Sequence, residues 1–352
     1  MGNMISGIQQ MGIGIPNVHE AWTWYRKNLG MDVPIFEEAA TAALMLPYTG
    51  GKPHDRHAIL ALNMQGGGGF EIWQYTSRIP EAPSFQPVFG DLGINVCKMK
   101  SRDVDAAFAF LSTKGCNLSS EVYTDACGRK HFYIKDPYQN WFEIVEFDKF
   151  FLNSKSLVGG VAGATIGVSD IDKALALYKD FLGYDEVRFD KTDTFDDLEG
   201  LVEPGKRYRR VLLRHSRDRM GGFSQLLGPT EIELVQQLDQ QPRKVYENRY
   251  WGDLGFIHLC FDVTDMAALK ETASKAGYPF TVDSSNSFDM GEAAGHFSYI
   301  EDQDGTLIEF VETHKIPIMK KVGWYLNLKK RNSKKPLPKW MLGALTLNRK
   351  KD

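Results

Sequence analysis

The chain has little cysteine: Cys97, Cys116, Cys127 and Cys260 are its four, and none stands in a CxxC spacing. Without paired spacing the even count frames no disulfide network, and a reducing, cytoplasmic setting is expected. Long apolar runs are absent too. Nowhere do eighteen apolar residues stand together, and the opening MGNMISGIQQMGIGIP holds no run of signal length, so a spanning helix is excluded and a soluble protein expected. The glycine run Gly66 to Gly69 lacks the Lys-Ser/Thr and following helix of a phosphate loop and reads as a hairpin connection. His54 and His57, spaced HxxH, read as loop residues between two strands. Met1-Gly2 with Ser6 formally fits a myristoylation pattern, but so short a pattern arises readily by chance.

Acids are nearly missing from the last stretch. From Lys315 onward there are twelve Lys/Arg and one acid, a net of +11 that leaves −14 on the body. Trp324, Tyr325, Trp340 and Leu345 stand among the cations, a mixture that suits an anionic surface. An anionic leaflet would offer about 1 kcal/mol per cation, but the acidic body is tethered beside the tail and needs no search. Docking on the chain's own body, or across a homodimer, is favoured over membrane contact. Nucleic acid is not expected, because the body would repel it.

What the chain has in plenty is repetition. FEIWQ at Glu71, FEIVE at Glu143, IELVQ at Glu233 and IEFVE at Glu309 each set a glutamate among apolar residues at a two-residue period, opposite in direction to its neighbours. A carboxylate on a buried sheet face needs a partner, because an unpaired charge away from water is very costly, and a metal ion is one that keeps it ionised. Tyr25 maps to Tyr178 and Gly30 to Gly183, both shifted by 153, while Gly115 maps to Gly277 and the phrase GDLG recurs at Gly90 and Gly252. The chain is an A-B-A-B duplication.

Each copy reads as strand, helix and three further strands. Asn17 caps the first helix, with Glu20 three residues on, and Val18, Ala21, Trp22, Tyr25 and Leu29 form its apolar stripe up to Gly30. The third copy repeats this with Asp170 as cap, Ile171, Ala174, Leu175, Tyr178 and Leu182 as stripe, and Gly183 as stop. The predicted fold is α+β: four βαβββ modules, near residues 5–76, 90–148, 160–238 and 252–314. The first pair of modules falls in 1–150, the second in 157–314, and a basic tail in 315–352.

These residues resemble the vicinal oxygen chelate superfamily, which includes glyoxalase I, extradiol dioxygenases and bleomycin-resistance proteins. The resemblance covers roughly residues 5 to 314 and rests on the phrase before the first helix, the LG after it, and the endings DPYQNWFEI and DQDGTLIEF. It implies cup-shaped, eight-stranded sheets built from paired modules, with a metal held by a first-strand and a fourth-strand residue of each. Carried over position by position, the modules offer Gln10 with Glu71, then Glu143 with Asn95, Val96 or Cys97 depending on one gap, then Gly163 with Glu233, then His258 with Glu309. Gln9 stands beside Gln10, so a slip of one residue would exchange them.

Pairing of consecutive modules is the shorter connection but leaves both cups incomplete. Pairing of the outer modules collects Gln10, Glu71, His258 and Glu309 in one cup, and leaves Asn95, Glu143, Gly163 and Glu233 as a degenerate second cup. The outer pairing is preferred. One imidazole with three oxygen donors suits a divalent ion such as Zn, Ni, Mn or Fe. The resemblance then implies a glyoxalase-like isomerase or lyase acting on a small carbonyl compound through an enediolate, with Glu309 as first candidate base and Glu71 as second. An Fe(II) extradiol-type dioxygenase and a metal-free small-molecule binding protein are the alternatives.

Overall fold

The computed structural model describes residues 4–350 apart from 199, 203, 286, 287, 290–293, 320–322, 329, 330 and 333. The Met1-Gly2 pattern, four lysines of the tail (Lys320, Lys321, Lys329 and Lys330), its last two residues and the side chain of Trp324 lie outside the described residues. The first module runs β1 (Ile5–Gly14), α1 (Val18–Leu29), β2 (Val33–Thr41), β3 (Asp55–Leu62) and β4 (Gly69–Tyr75). The second runs β5 (Gly93–Ser101), α2 (Val104–Thr113), the short β6 (Asn117–Leu118) and β7 (Tyr123–Thr124), β8 (Lys130–Lys135) and β9 (Trp141–Glu146). The third comprises β10 (Val161–Gly167), α3 (Ile171–Leu175), β11 (Glu186–Asp193), β12 (Tyr208–Arg214), the single turn α4 (Ser224–Leu227) and β13 (Glu231–Gln237). The fourth has β14 (Gly255–Val263), α5 (Met266–Lys275), β15 (Val282–Asp283), β16 (Phe288–Asp289), β17 (Ala294–Glu301) and β18 (Leu307–Met319); β19 (Trp324–Asn327) and α6 (Lys339–Gly343) follow.

Two curled sheets result, and the outer modules share one of them. Its order is β15-β17-β18-β14-β1-β4-β3-β2, and the inner modules form β11-β12-β13-β10-β5-β9-β8-β6. Each sheet closes at its middle by antiparallel pairing of two first strands, β1 with β14 and β10 with β5. The backbones approach closely where these strands meet. A Cβ on Gly14 would meet the carbonyl oxygen of Asp253 at 2.0 Å, and one on its repeat mate Gly167 would meet that of Asp91 at the same distance. The GDLG phrases thus lie directly against the ends of the strands they pair with.

Consecutive modules meet through their helices instead. The Tyr25 hydroxyl on α1 donates to Asp136 at 2.6 Å, in the Asp-Pro turn of the second module, and Tyr178 donates to Asp302 at 2.9 Å in the fourth. One apolar cluster runs beneath both sheets, with Met11, Phe70, Phe142, Ile166, Phe261 and Phe310 among its members. The glycine run is a hairpin connection, as expected, and also crosses the other sheet: Gly68 and Val161 exchange backbone hydrogen bonds of 3.1 and 2.8 Å.

Asn17 caps α1 through His19 and Glu20, and Gly30 ends the helix at φ 68. The third-module stripe differs from the expected one. A π-helical stretch over Ala176–Phe181 follows α3, and its wider turn broadens the buried face while Tyr178 and Leu182 stay buried as expected. Leu177 and Phe181 point inward, while Leu175 is only partly buried.

The tail folds back on its own body. Leu337, Leu342 and Leu345 pack with Val33, Leu62, Met64 and Leu226, and Arg349 pairs with Asp32 at 3.1 Å. All four cysteines are free thiols, and no helix among the described residues is long and apolar enough to cross a membrane.

Tyr25→Phe removes one of the hydrogen bonds to the buried Asp136 carboxyl, which keeps those from Tyr138 and Asn140, and should lower stability by about 1 kcal/mol, read as a shift in the midpoint of urea unfolding. Tyr178→Phe should cost the same order; a neutral result at both positions would show that the helix-to-turn bonds do not join the modules.

Candidate metal centre

The four carried-over residues of the outer modules meet at the middle of their shared sheet. Parallel pairing sets Glu71 opposite Gly12 and Glu309 opposite Cys260. A β-bulge between Ile8 and Gln10 interrupts the β1 ladder, so Gln9 and Gln10 both line the cup cavity. Gln10 is the more buried of the two; its Nε2 lies 3.1 Å from Glu71 Oε2 and 3.4 Å from Glu309 Oε2, while Gln9 bonds Thr313 instead.

His258 is fully buried between these carboxylates. Its Nε2 stands 3.2 Å from Glu71 Oε2 and 3.0 Å from Glu309 Oε2, yet no hydrogen bond of proper direction reaches either ring nitrogen. Burial opposes a charged imidazole here, but Glu309 and then Glu71 outweigh it and push His258 up to about 9. The ring is fixed on both faces. Trp251 stacks parallel at 6.2 Å between centroids and Tyr299 stands edge-on at 5.6 Å. Opposite it, Gly12 leaves the necessary room, since a Cβ there would fall 2.4–2.7 Å from ring atoms.

These spacings fit a shared cation. Donors about 2.0–2.2 Å from one ion lie about 3–3.5 Å from each other, the range observed between the His258, Glu71, Glu309 and Gln10 atoms. A half turn of the Gln10 amide presents its oxygen in place of its nitrogen. Two acids, an unbonded imidazole and an amide are also the donor chemistry that a divalent ion of this kind prefers.

The inner cup answers the same charge problem from within the chain. Lys98, fully buried, places its Nζ 2.7 Å from Glu143, 2.7 Å from Glu233 and 3.5 Å from Glu231. Arg210 adds a 2.7 Å contact to Glu233 and reaches Asp197, while Arg129 and Arg214 hold Glu231. His131 lies 3.0 Å from Glu143, with Tyr133 edge-on to its ring. Against the penalty of burial, Arg129, Lys98 and Arg214 hold the Glu231 carboxyl down at about 2, and Arg210 and Lys98 depress Glu233 further.

Sequence reasoning passed over Lys98. Lys98 faces Glu143 as Cys260 faces Glu309, so the position matching His258 is Val96. Asn95, expected in this cup, instead accepts from the Gly90 amide and donates to the Asp91 carbonyl, bracing the turn before β5. Gly163 contributes no side chain, and a Cβ there would lie 1.9 Å from the Glu231 carbonyl oxygen. The available signal was a lysine at alternate positions, Lys98 and Lys100, among Val96, Cys97 and Met99 of a buried strand. His57 is another correction: it lies on β3, not in a loop, because the strand begins at Asp55, and it stands 3.3 Å from Glu37. His19 completes a largely exposed group there at 3.7 Å.

Residues 7–144 match a family model described as the Glyoxalase/Bleomycin resistance protein/Dioxygenase superfamily, and residues 164–297 match a second model of that description. Among solved structures, a putative dioxygenase from Bacillus subtilis subsp. subtilis str. 168 is 15% identical, with a TM-score of 0.58 over 88% of this chain and 86% of its own. Glyoxalase I from Zea mays is 12% identical, with a TM-score of 0.53 over 87% of this chain and 92% of its own. At these identities the likeness is one of fold. No curated protein matches the chain.

Gly12→Ala should displace the His258 ring, costing about 1–3 kcal/mol as an overpacked core does; thermal unfolding together with the His258 imidazole NMR signals would read both effects, and an unmoved ring would refute the packing. The inner cup sets an acid limit. Glu231 titrates at about 2 when folded against an ordinary 4.5, so its stabilisation, about 3 kcal/mol, is complete above pH 4.5 and is lost as pH falls from there to about 2. Urea unfolding across that window should be flatter for Glu231→Gln than for the parent chain.

Proposed function

The chain belongs to the glyoxalase/bleomycin resistance protein/dioxygenase superfamily, and from that premise we propose that its outer cup is the active site of a glyoxalase-type, metal-dependent isomerase or lyase. Its substrate is a small carbonyl compound, and the reaction passes through an enediolate. The observation that carries this reading is the convergence of Gln10, Glu71, His258 and Glu309, with the His258 Nε2 3.0 and 3.2 Å from two carboxylates and bonded to neither.

The residues fit a divalent ion, of the Zn, Ni, Mn or Fe kind, held by those four side chains. When bound, such an ion supplies Lewis-acid polarisation of a carbonyl oxygen. The rest of the work belongs to the chain. Glu309, buried beside His258, is the first candidate to take the proton from the carbon next to the carbonyl, and Glu71, somewhat more exposed, is the second. Trp251 and Tyr299 hold the imidazole plane, so the donor directions are set before substrate arrives.

Beside the four residues lies a cavity of about 100 Å³ whose walls include Phe36, Leu60, Phe223, Phe297 and Leu345, with Gln10, Glu71 and Glu309 on one side. Its lining supports a substrate with a carbonyl at the polar wall and an apolar substituent beyond it. A ring-cleaving dioxygenase is less well supported, because this donor set holds one imidazole where that chemistry uses two with one carboxylate.

Metal analysis of the purified chain tests the reading. About one divalent ion per chain is expected, with at least tenfold weaker retention in His258→Ala, together with metal-dependent exchange of the α-proton of small carbonyl compounds in deuterated water. Equal metal retention by the variant, or no retention after exposure to all four ions, would overturn it.

A further inference from the structure

A second cavity, of about 730 Å³, lies behind α4 and is walled by Lys100, His215, Arg219, Gln225, Gly228 and Lys339 among others. Leu226 lines both this cavity and the apolar one beside the outer cup, so α4 is a partition between them. Lys100, Lys149, Lys339, Arg219 and His215 outnumber the two acids of its lining, Asp148 and Asp218, and Lys100 and Arg219 are buried.

Lys100, on β5, is 1% exposed. Its ammonium donates to the Leu227 carbonyl at 3.1 Å and lies 5.2 Å from the centre of the Phe147 ring, with no carboxylate in contact. Arg219, 8% exposed, donates one hydrogen bond to the Leu182 carbonyl and lies over the Tyr184 ring, while its Nε has no partner. His215 cannot answer them. Its Nε2 accepts from the Thr230 amide, its Nδ1 faces the Arg217 carbonyl, and burial followed by the Arg219 charge holds it down at about 4, hence neutral.

The acids nearby are exposed or engaged. Asp148 and Asp218 lie at the exposed rim, where Asp218 faces Lys149 at 3.5 Å, and Glu231 is committed to Lys98, Arg129 and Arg214. Burial, helped by the Arg214 charge and opposed by Glu231 and Asp148 at a distance, pulls Lys100 down to about 7, and burial lowers Arg219 against Tyr184 and Asp185. A buried guanidinium and a buried amine that titrates near 7 share this cavity, with spare donors and no carboxylate in contact with either, and together they complement an anion.

We propose that this cavity is a binding site for the oxyanion of a small molecule, a phosphate or a carboxylate, with Lys100 and Arg219 as its donors. The Arg219 fork and the Lys100 ammonium bind the anionic group, Lys339 of the tail screens the mouth, and the remaining volume accommodates the body of a metabolite-sized ligand. The site is separate from the outer cup and does not depend on what that cup binds.

Calorimetric titration of the full chain with sulfate, inorganic phosphate and acetate, against chloride at equal ionic strength, tests the proposal. Saturable binding is expected, weakened at least tenfold by Lys100→Met and by Arg219→Gln. A preference for phosphate and sulfate over acetate would assign a phosphoryl group, and the reverse a carboxylate. Should either variant fold poorly, the parent chain still decides: at pH 8 sulfate should draw about one proton onto Lys100, read from the dependence of the heat on buffer ionisation. Binding no stronger than that of chloride, binding undiminished in both variants, or binding without proton uptake would overturn the proposal.

Discussion

A carboxylate on a buried sheet face must have a positive partner, and the architecture of this chain follows from meeting that demand four times. The duplication carries a glutamate to the same strand position in every module: Glu71, Glu143, Glu233 and Glu309. Closing two sheets gathers them in pairs, so each cup begins with two negative charges facing one space. The inner cup neutralises its pair with Lys98 and Arg210. The outer cup has only the ring of His258, whose charge those acids favour, and the amide of Gln10 for the same task, and one Nε2 facing two acids is hydrogen-bonded well to neither. That difference is why a cation is sought in one cup and not in the other.

Which strands close the sheets decides which residues meet. Four modules in a row could have paired with their neighbours, and their helices do: Tyr25 reaches Asp136, and Tyr178 reaches Asp302. The strands pair differently, β1 with β14 and β10 with β5, and in each sheet a GDLG phrase lies against a glycine end, Asp253 on Gly14 and Asp91 on Gly167. One chain therefore uses two kinds of neighbour, helix contacts between consecutive modules and strand contacts between distant ones. Breaking either would leave apolar surface of the common cluster uncovered.

Much of the fold was legible because period and punctuation agree. The Asn17 and Asp170 caps, the stops at Gly30 and Gly183, and the alternation around each glutamate are local signals, and local physics answers them. The outer pairing was legible less directly, through the way it sorted His258 and Gln10 into one cup. What escaped was non-local or off the repeat. Lys98 could be valued only after its three acids were known to face it, and Asn95 was misplaced because an alignment gap of one residue turns a strand over. Gly12 gave no sign either, since its role is to be absent where the His258 ring lies. The π-helical stretch after α3 brings Leu177 and Phe181 into the core and leaves Leu175 at its edge, a pattern that apolar periodicity does not carry.

The inner cup also bears on how the outer one can work. A site that binds and releases an ion, or lets a carboxylate act as base, needs side chains held in place by something other than the ligand itself. Lys98, Arg129, Arg210 and Arg214 lock the inner half of the chain with charges the chain carries permanently. The tail adds a second brace, laying Leu342 and Leu345 over Leu62 and Val33 and anchoring Arg349 on Asp32. With folding secured by these fixed pairs, the outer cup is free to keep its imbalance. Its two acids and one imidazole remain poorly satisfied among themselves, and that residual demand is the capacity to hold a cation.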